Sequence, residues 1–208
     1  DKFLKILDRL IKITKSKNLV ILGDLKHKVP GISLRETKYL PIFFEHLMKN
    51  VKIIFVKGNH DTDLEGLIPK EVETYGAQGV KIGKYGFFHG HGWPSKEMMK
   101  CDYLLMGHLQ PGIEFRDDFG FRNIEQVWVK SELNKKLIQK KYKIKKTGKL
   151  NLIIVPAFNP LLGSAILNRM DKKEFKGILV NKKIFNLNNS ELFLLDGTSL
   201  GILKNLRK

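Results

Sequence analysis

Four short runs of aliphatic and aromatic residues, 19–22, 51–56, 85–88 and 103–106, each lead directly into a polar fragment. Apolar runs of this length mark strands buried on both faces, which read as near-continuous rather than alternating. Helical spacing appears before the first run and between the first two. Phe3, Leu4, Ile6, Leu7, Leu10, Ile11 and Ile13 recur at that spacing among lysines and predict a first helix, stopped by Asn18. Ser33 followed by Glu36 has the spacing of a capping box and opens a second helix running to about Asn50, with Leu40, Phe43, Phe44 and Leu47 on its buried face. Pro41 lies inside that pattern and is expected to kink or split it.

Further along, 61–70 reads as loop and short helix, and 72–88 as short strands turning at Gly76, Gly79, Gly83 and Gly86. The segments 113–116 and 121–129 flank Asp117-Asp118-Phe119-Gly120 and predict a hairpin. Another buried strand is expected within 150–158, and further short strands within 178–203, near Asp196-Gly197 and Gly201. Strands alternating with helices give an α/β fold. A helix ahead of the first strand fits a crossover from an earlier parallel strand, expected upstream of Asp1.

The polar fragments are Gly23-Asp24, Gly58-Asn59-His60-Asp61, His89-Gly90-His91 and Gly107-His108. Positions just past strand ends are where open α/β sheets place their ligands. Five of the six histidines lie in or near these fragments, and only His46 falls elsewhere, in the second helix. A carboxylate, a carboxamide oxygen and imidazoles together suit Mn²⁺, Fe, Zn²⁺ or Mg²⁺. The two oxygens of Asp24 could bridge ions about 3.5–4 Å apart, the spacing used for in-line phosphoryl displacement. Asn59 would ligate through its amide oxygen, while His60 faces substrate and protonates the leaving oxygen. Asp61 could hold that imidazole in its useful tautomer. Gly90 makes a turn between His89 and His91, so His89 is taken as ligand and His91 as a residue behind the ligands or facing substrate. His27 and Lys28 either touch a substrate phosphate or face water.

At 208 residues and 42% hydrophobic, the chain can bury a real core as one domain, or one domain with an insertion. The single cysteine, Cys101, excludes an intramolecular disulfide framework, points to a reducing compartment and is expected in the core. No apolar stretch approaches the roughly 18 residues of a membrane span, and no cleavable signal opens the chain, so a cytoplasmic setting is expected. The formal charge of +17 would attract polyanions. Only 6 of its 38 basic residues are arginine, however, and a lysine excess also arises in adaptation to heat. Segment 130–149 holds nine lysines and reads as a solvated face by default, or as a phosphate-tracking patch.

Taken in order, Gly23-Asp24, Gly58-Asn59-His60-Asp61, His89-Gly90 and Gly107-His108-Leu109-Gln110 resemble the motif blocks of the calcineurin-like metallophosphoesterases, across roughly 19–111. The run Ile21-Leu22-Gly23-Asp24-Leu25-Lys26-His27, with His89-Gly90-His91, looks most like the SbcD-related, ICC-like archaeal branch, and Leu195-Asp196-Gly197-Thr198 fits its closing strand. The resemblance implies a four-layer sandwich of two mixed central sheets flanked by helices. It also implies a single metallophosphoesterase-like domain over 1–208, N-terminally incomplete, with 130–149 as a lysine-rich insertion.

By the same resemblance, two divalent ions are expected, manganese foremost. Asp24 matches the bridging ligand, Asn59, His89 and His108 the ligands of the second ion, and Gln110 a position of the first. His60 matches the catalytic histidine with Asp61 beside it, and His27 and His91 are read as substrate-binding. The family's opening Asp-x-His block is expected upstream with the earlier strand. Gln110 stands where the family has histidine, and an amide oxygen is the weaker donor.

The activity implied is metal-dependent phosphoester hydrolysis, of a phosphodiesterase or nuclease-like kind, by a water activated between two metals. Its substrate would be a phosphodiester such as nucleic acid. The alternative is a non-catalytic nucleic-acid-binding or scaffold module with a degenerate metal site.

Overall fold

The computed structural model describes residues 2–27, 29–64, 66–170 and 177–207, and the chain divides into two compact units, Asp1–Ala77 and Gln78–Lys208. In the first, helix α1 (Lys2–Thr14) precedes strand β1 (Asn18–Ile21), and helix α2 (Leu34–Met48) precedes β2 (Lys52–Val56) and β3 (Glu73–Tyr75). The strands form a parallel sheet in the order β1-β2-β3. Leu4, Leu7 and Ile11 turn inward from α1. Lys15 follows the helix in the left-handed conformation, at φ 52°, so the chain turns there, and Asn18 is already the first residue of β1.

Helix α2 begins as its sequence predicts. Glu36 donates its backbone N–H to Ser33 Oγ at 3.2 Å, and Ser33 returns its own N–H to Glu36 Oε2 at 2.7 Å. The expected split at Pro41 does not occur: the helix runs on to Met48. Proline removes one i to i−4 bond, but Leu40, Phe44 and Leu47 are buried on either side of it. Burying Phe44 and Leu47 contributes about 1.5–3 kcal/mol each, enough to hold the helix through one missing bond. Across 61–70 the described residues form turns rather than a short helix, with Gly66 at φ 82°. Leu64 drops from this stretch into the core beside Phe44 and Phe55.

The second unit holds β4 (Val80–Ile82), β5 (Tyr85–Phe88), β6 (Tyr103–Met106), β7 (Pro111–Arg116), β8 (Arg122–Glu132), helix α3 (Lys135–Tyr142), β9 (Asn151–Ile154), β10 (Ala165–Ile166), the short helix α4 (Ile178–Asn181), β11 (Glu191–Leu194) and β12 (Ser199–Ile202). Its mixed sheet runs β10-β7-β8-β9-β6-β5-β4, with β11 added to β8 and β12 to β11. The α/β character and the two sheets are as expected, the smaller sheet being parallel throughout its described strands.

Gly83 at φ 58° makes the two-residue turn between β4 and β5. Gly86 makes no turn: it lies inside β5 opposite Lys81. A Cβ there would stand 2.6 Å from Leu104 Cδ2 and 2.8 Å from Met98 Sδ, so close packing, not bending, requires the glycine. The β7–β8 hairpin forms as expected, its loop tied by Asp117 Oδ1 accepting from the N–H groups of Phe119 and Phe121. The apolar run at 178 begins a helical turn instead of a strand, because so short a run fits either element. Cys101 is buried among Phe88, Met98, Met99 and Leu104. Among the described residues, no helix is long and apolar enough to cross a membrane.

One feature of this sheet positions the chemistry. Strands β5 and β6 are parallel, with Phe88 level with Met106, so the loops that follow both strands leave the sheet side by side.

Candidate metal centre

In the first unit, β1 ends and the chain passes through two left-handed residues, Gly23 at φ 84° and Asp24 at φ 56°. An aspartate in this region costs about 1–3 kcal/mol and persists only when its surroundings hold it. Asp61 supplies that hold. Its Oδ2 accepts the backbone N–H groups of Asp24 and Gly58, both at 2.7 Å, and its Oδ1 accepts that of Leu25 at 2.8 Å. The carboxylate is almost wholly buried, with Asp61 1% exposed.

Asp24 Oδ1 in turn accepts the His60 N–H at 3.1 Å. Gly58 completes the cradle by having no side chain. A Cβ there would collide with Asp24 Oδ1 and lie 2.6 Å from Asp24 N.

Asn59 is exposed and His60 half-buried. His60 Nδ1 lies 3.2 Å from the His27 carbonyl, and the two imidazoles stack with centroids 6.1 Å apart. The bond to the imidazole expected from Asp61 is thus replaced by one to a backbone carbonyl, because three backbone N–H groups occupy the Asp61 oxygens. Since a carbonyl only accepts, His60 Nδ1 bears a proton in this arrangement. His27 is fixed from below by Glu36, whose Oε1 accepts its N–H at 3.1 Å. One carboxylate therefore caps α2 and anchors the His27 loop, a link across nine residues that the capping pattern alone does not announce. Lys28 lies outside the described residues.

In the second unit, His89 follows β5 directly and His108 stands two residues after β6. His89 Nε2 and His108 Nδ1 are 3.1 Å apart. His91 belongs to the same group, its ring centroid 5.3 Å from that of His89 and 6.2 Å from that of His108. Gly90, at φ 121°, is what lets the two loops touch: a Cβ there would stand 2.7 Å from Met106 Cγ and 3.2 Å from His108 Cβ. His108 and Gln110 are both left-handed, at φ 63° and 46°, and the Gln110 carbonyl accepts the Ala165 N–H at 2.9 Å. Non-glycine residues at positive φ are uncommon, and strain of this kind clusters at functional sites. Gly177, absent from the sequence reading, lies 3.6 Å from the His108 ring measured from where its Cβ would be.

The donor set fits a divalent cation. With metal to nitrogen bonds of about 2.1 Å, neighbouring ligands of one ion stand about 3.0–3.4 Å apart. The His89–His108 nitrogen pair has that separation. Within the first unit the structure brings together Asp24, His27, His60 and Asp61, and within the second His89, His91 and His108.

Comparison with known proteins agrees with the family resemblance. The family model for the calcineurin-like phosphoesterases matches residues 1–185. No curated protein matches. Among solved structures, the nuclease MPE of Pseudomonas putida is similar in fold, with a TM-score of 0.56 at 18% identity over 96% of this chain and 78% of that one. With the family model spanning all but the last part of its sequence, this chain belongs to the calcineurin-like phosphoesterase family.

Proposed function

We propose that the protein is a metal-dependent phosphoester hydrolase acting on phosphodiesters, nucleic acid foremost. The observation that carries this reading is the His89–His108 pair, two imidazole nitrogens held 3.1 Å apart at the ends of adjacent parallel strands. Family membership and the nuclease of similar fold support it. Asp24, Asn59, His89 and His108 are the proposed ligands, with Asp24 as the bridge and Gln110 contributing its amide oxygen to a first ion. Two divalent cations in these donors, manganese foremost and iron, zinc or magnesium as alternatives, would neutralise phosphoryl charge and make a bound water nucleophilic.

The chain's own residues do the rest. Asp61 holds the backbone that aims Asp24. His60, its Nδ1 committed to the His27 carbonyl, keeps Nε2 for the mobile proton and delivers it to the leaving oxygen as the phosphorus–oxygen bond breaks. His27 and His91 are proposed to contact the substrate phosphate. Kinship with the SbcD-related branch is part of the same proposal.

A second reading, a nucleic-acid-binding module without turnover, is favoured by Gln110 in the place of an imidazole. Hydrolysis of bis(4-nitrophenyl) phosphate with Mn²⁺ separates the two. The hydrolase turns over, stops on chelation, and loses most of its rate as His60→Ala or Asn59→Ala. Equal rates for the parent and both variants would leave the binding module standing.

A further inference from the structure

The lysine-rich stretch 130–149 forms an ordered platform. Asn134 caps α3 by accepting the Leu137 N–H at 3.2 Å, and Ile138 is buried beneath it. Past the helix, Gln139 Nε2 donates to the Lys145 carbonyl at 2.8 Å, and Gly148 donates its N–H to Met99 at 2.9 Å.

The helix is also fastened to the loop that carries His91. Tyr142 donates its hydroxyl to the Pro94 carbonyl at 2.6 Å. Trp93 meets the Tyr142 ring edge-on at 6.1 Å, and Lys141 Nζ lies 4.6 Å from the centre of the Trp93 ring. All nine lysines of the stretch are exposed. Lys130 pairs with Glu191 and Lys141 rests on Trp93. None of the other seven forms an ion pair among the described residues, and Glu132 is the stretch's one acidic residue.

We propose that α3 and the loop after it carry the phosphate backbone of a nucleic-acid strand toward the His89, His91 and His108 centre. The destination rests on the hydrolase reading above; the binding surface does not. Pro94 is three residues from His91, so the fastening point lies within about 11 Å of chain of that histidine. A nucleic-acid strand covers that distance with only a few phosphates. Lysines arrayed on a helix and on the loop fastened after it neutralise a backbone without reading its sequence. A membrane surface suits α3 less well, because a helix that lies on lipid must present an apolar face. Here Ile138 points into the core and Leu137 is only 37% exposed.

The experiment compares the parent chain with a variant carrying Lys140→Gln, Lys143→Gln, Lys145→Gln and Lys146→Gln, and a control carrying Lys5→Gln, Lys12→Gln, Lys17→Gln and Lys49→Gln. Anisotropy of a labelled single-stranded oligonucleotide is read against salt. The platform variant's log–log salt slope should flatten by about 0.7 for each lysine that touched phosphate, and the control's should not. The variant's KM for oligonucleotide hydrolysis should rise about tenfold or more, with its rate on bis(4-nitrophenyl) phosphate unchanged. An unchanged slope, an equal change in the control, or binding to phosphatidylserine vesicles in preference to the oligonucleotide would overturn the proposal. If the parent hydrolyses neither substrate the hydrolase reading fails, and the anisotropy still decides the surface.

Discussion

Asp24 hangs its backbone N–H on Asp61 Oδ2 at 2.7 Å, across 37 residues of chain. Because the same oxygen takes the Gly58 N–H, one buried carboxylate locks the loops after β1 and β2 together. Replacing Asp61 by asparagine leaves one acceptor oxygen for three donors. Asp61→Asn should cost about 1–3 kcal/mol of stability, read by urea unfolding, and more if two donors are orphaned. It should also weaken Mn²⁺ binding in calorimetry, since Asp24 loses its aim. Parent-like values in both measurements would show that the three bonds matter little.

Gly58→Ala tests the same cradle from the other side. Its methyl would meet Asp24 Oδ1 and stand 2.6 Å from Asp24 N. Overpacking of this kind costs about 1–3 kcal/mol and shifts whatever yields first, which here is the Asp24 carboxylate. Gly163→Ala is the matched control, because nothing lies within 4 Å of a Cβ there. Thermal unfolding should separate the two variants by several degrees.

Tyr142 gives the fold a weakness to alkali. Burial pushes its phenol up to about 12, from an ordinary value of 10. The folded state therefore holds this proton where the unfolded chain has lost it. Its contribution is complete below pH 10 and drains away as pH rises toward 12. Stability followed by urea unfolding should fall across that window, and Tyr142→Phe should flatten the fall. The absorbance titration near 295 nm should show one late tyrosine that the variant lacks.

Cys101 is wholly buried, and burial raises its thiol above the usual range. The thiolate is the reactive form, so the native protein should resist a disulfide-exchange reagent at neutral pH and release one equivalent on denaturation. Rapid reaction of the folded chain would mean that the β5–β6 region opens readily.

Most of the strands were legible because their sequences are apolar runs bounded by glycine, and the start of α2 because Ser33 and Glu36 carry a local rule. Elements that depend on distant partners were not. Pro41 stays helical because residues of other elements cover Phe44 and Leu47, and Gly86 is a glycine because Leu104 and Met98 press on it. The site divides in the same way. The polar fragments announced themselves by position after strands, and the His89–His108 approach follows from the pairing of β5 with β6. The work of Asp61 could not be read, since it consists of bonds to backbone groups that any sequence possesses. Nor could the His27 carbonyl contact with His60, or the fastening of α3 through Trp93 and Tyr142, be found in local spacing.

Strand β8 is shared: β7 lies along its first half, and β11 covers Val127 to Lys130. β11 falls after residue 185, where the family match stops, and Leu187, Leu192 and Leu203 of that tail are buried. A chain trimmed to the family's span would lose these apolar anchors and bare a ribbon of unsatisfied amides along its longest strand. Such an edge is a template for a neighbouring strand. Removal of the tail should therefore promote self-association, with the shortened protein recovered as aggregate.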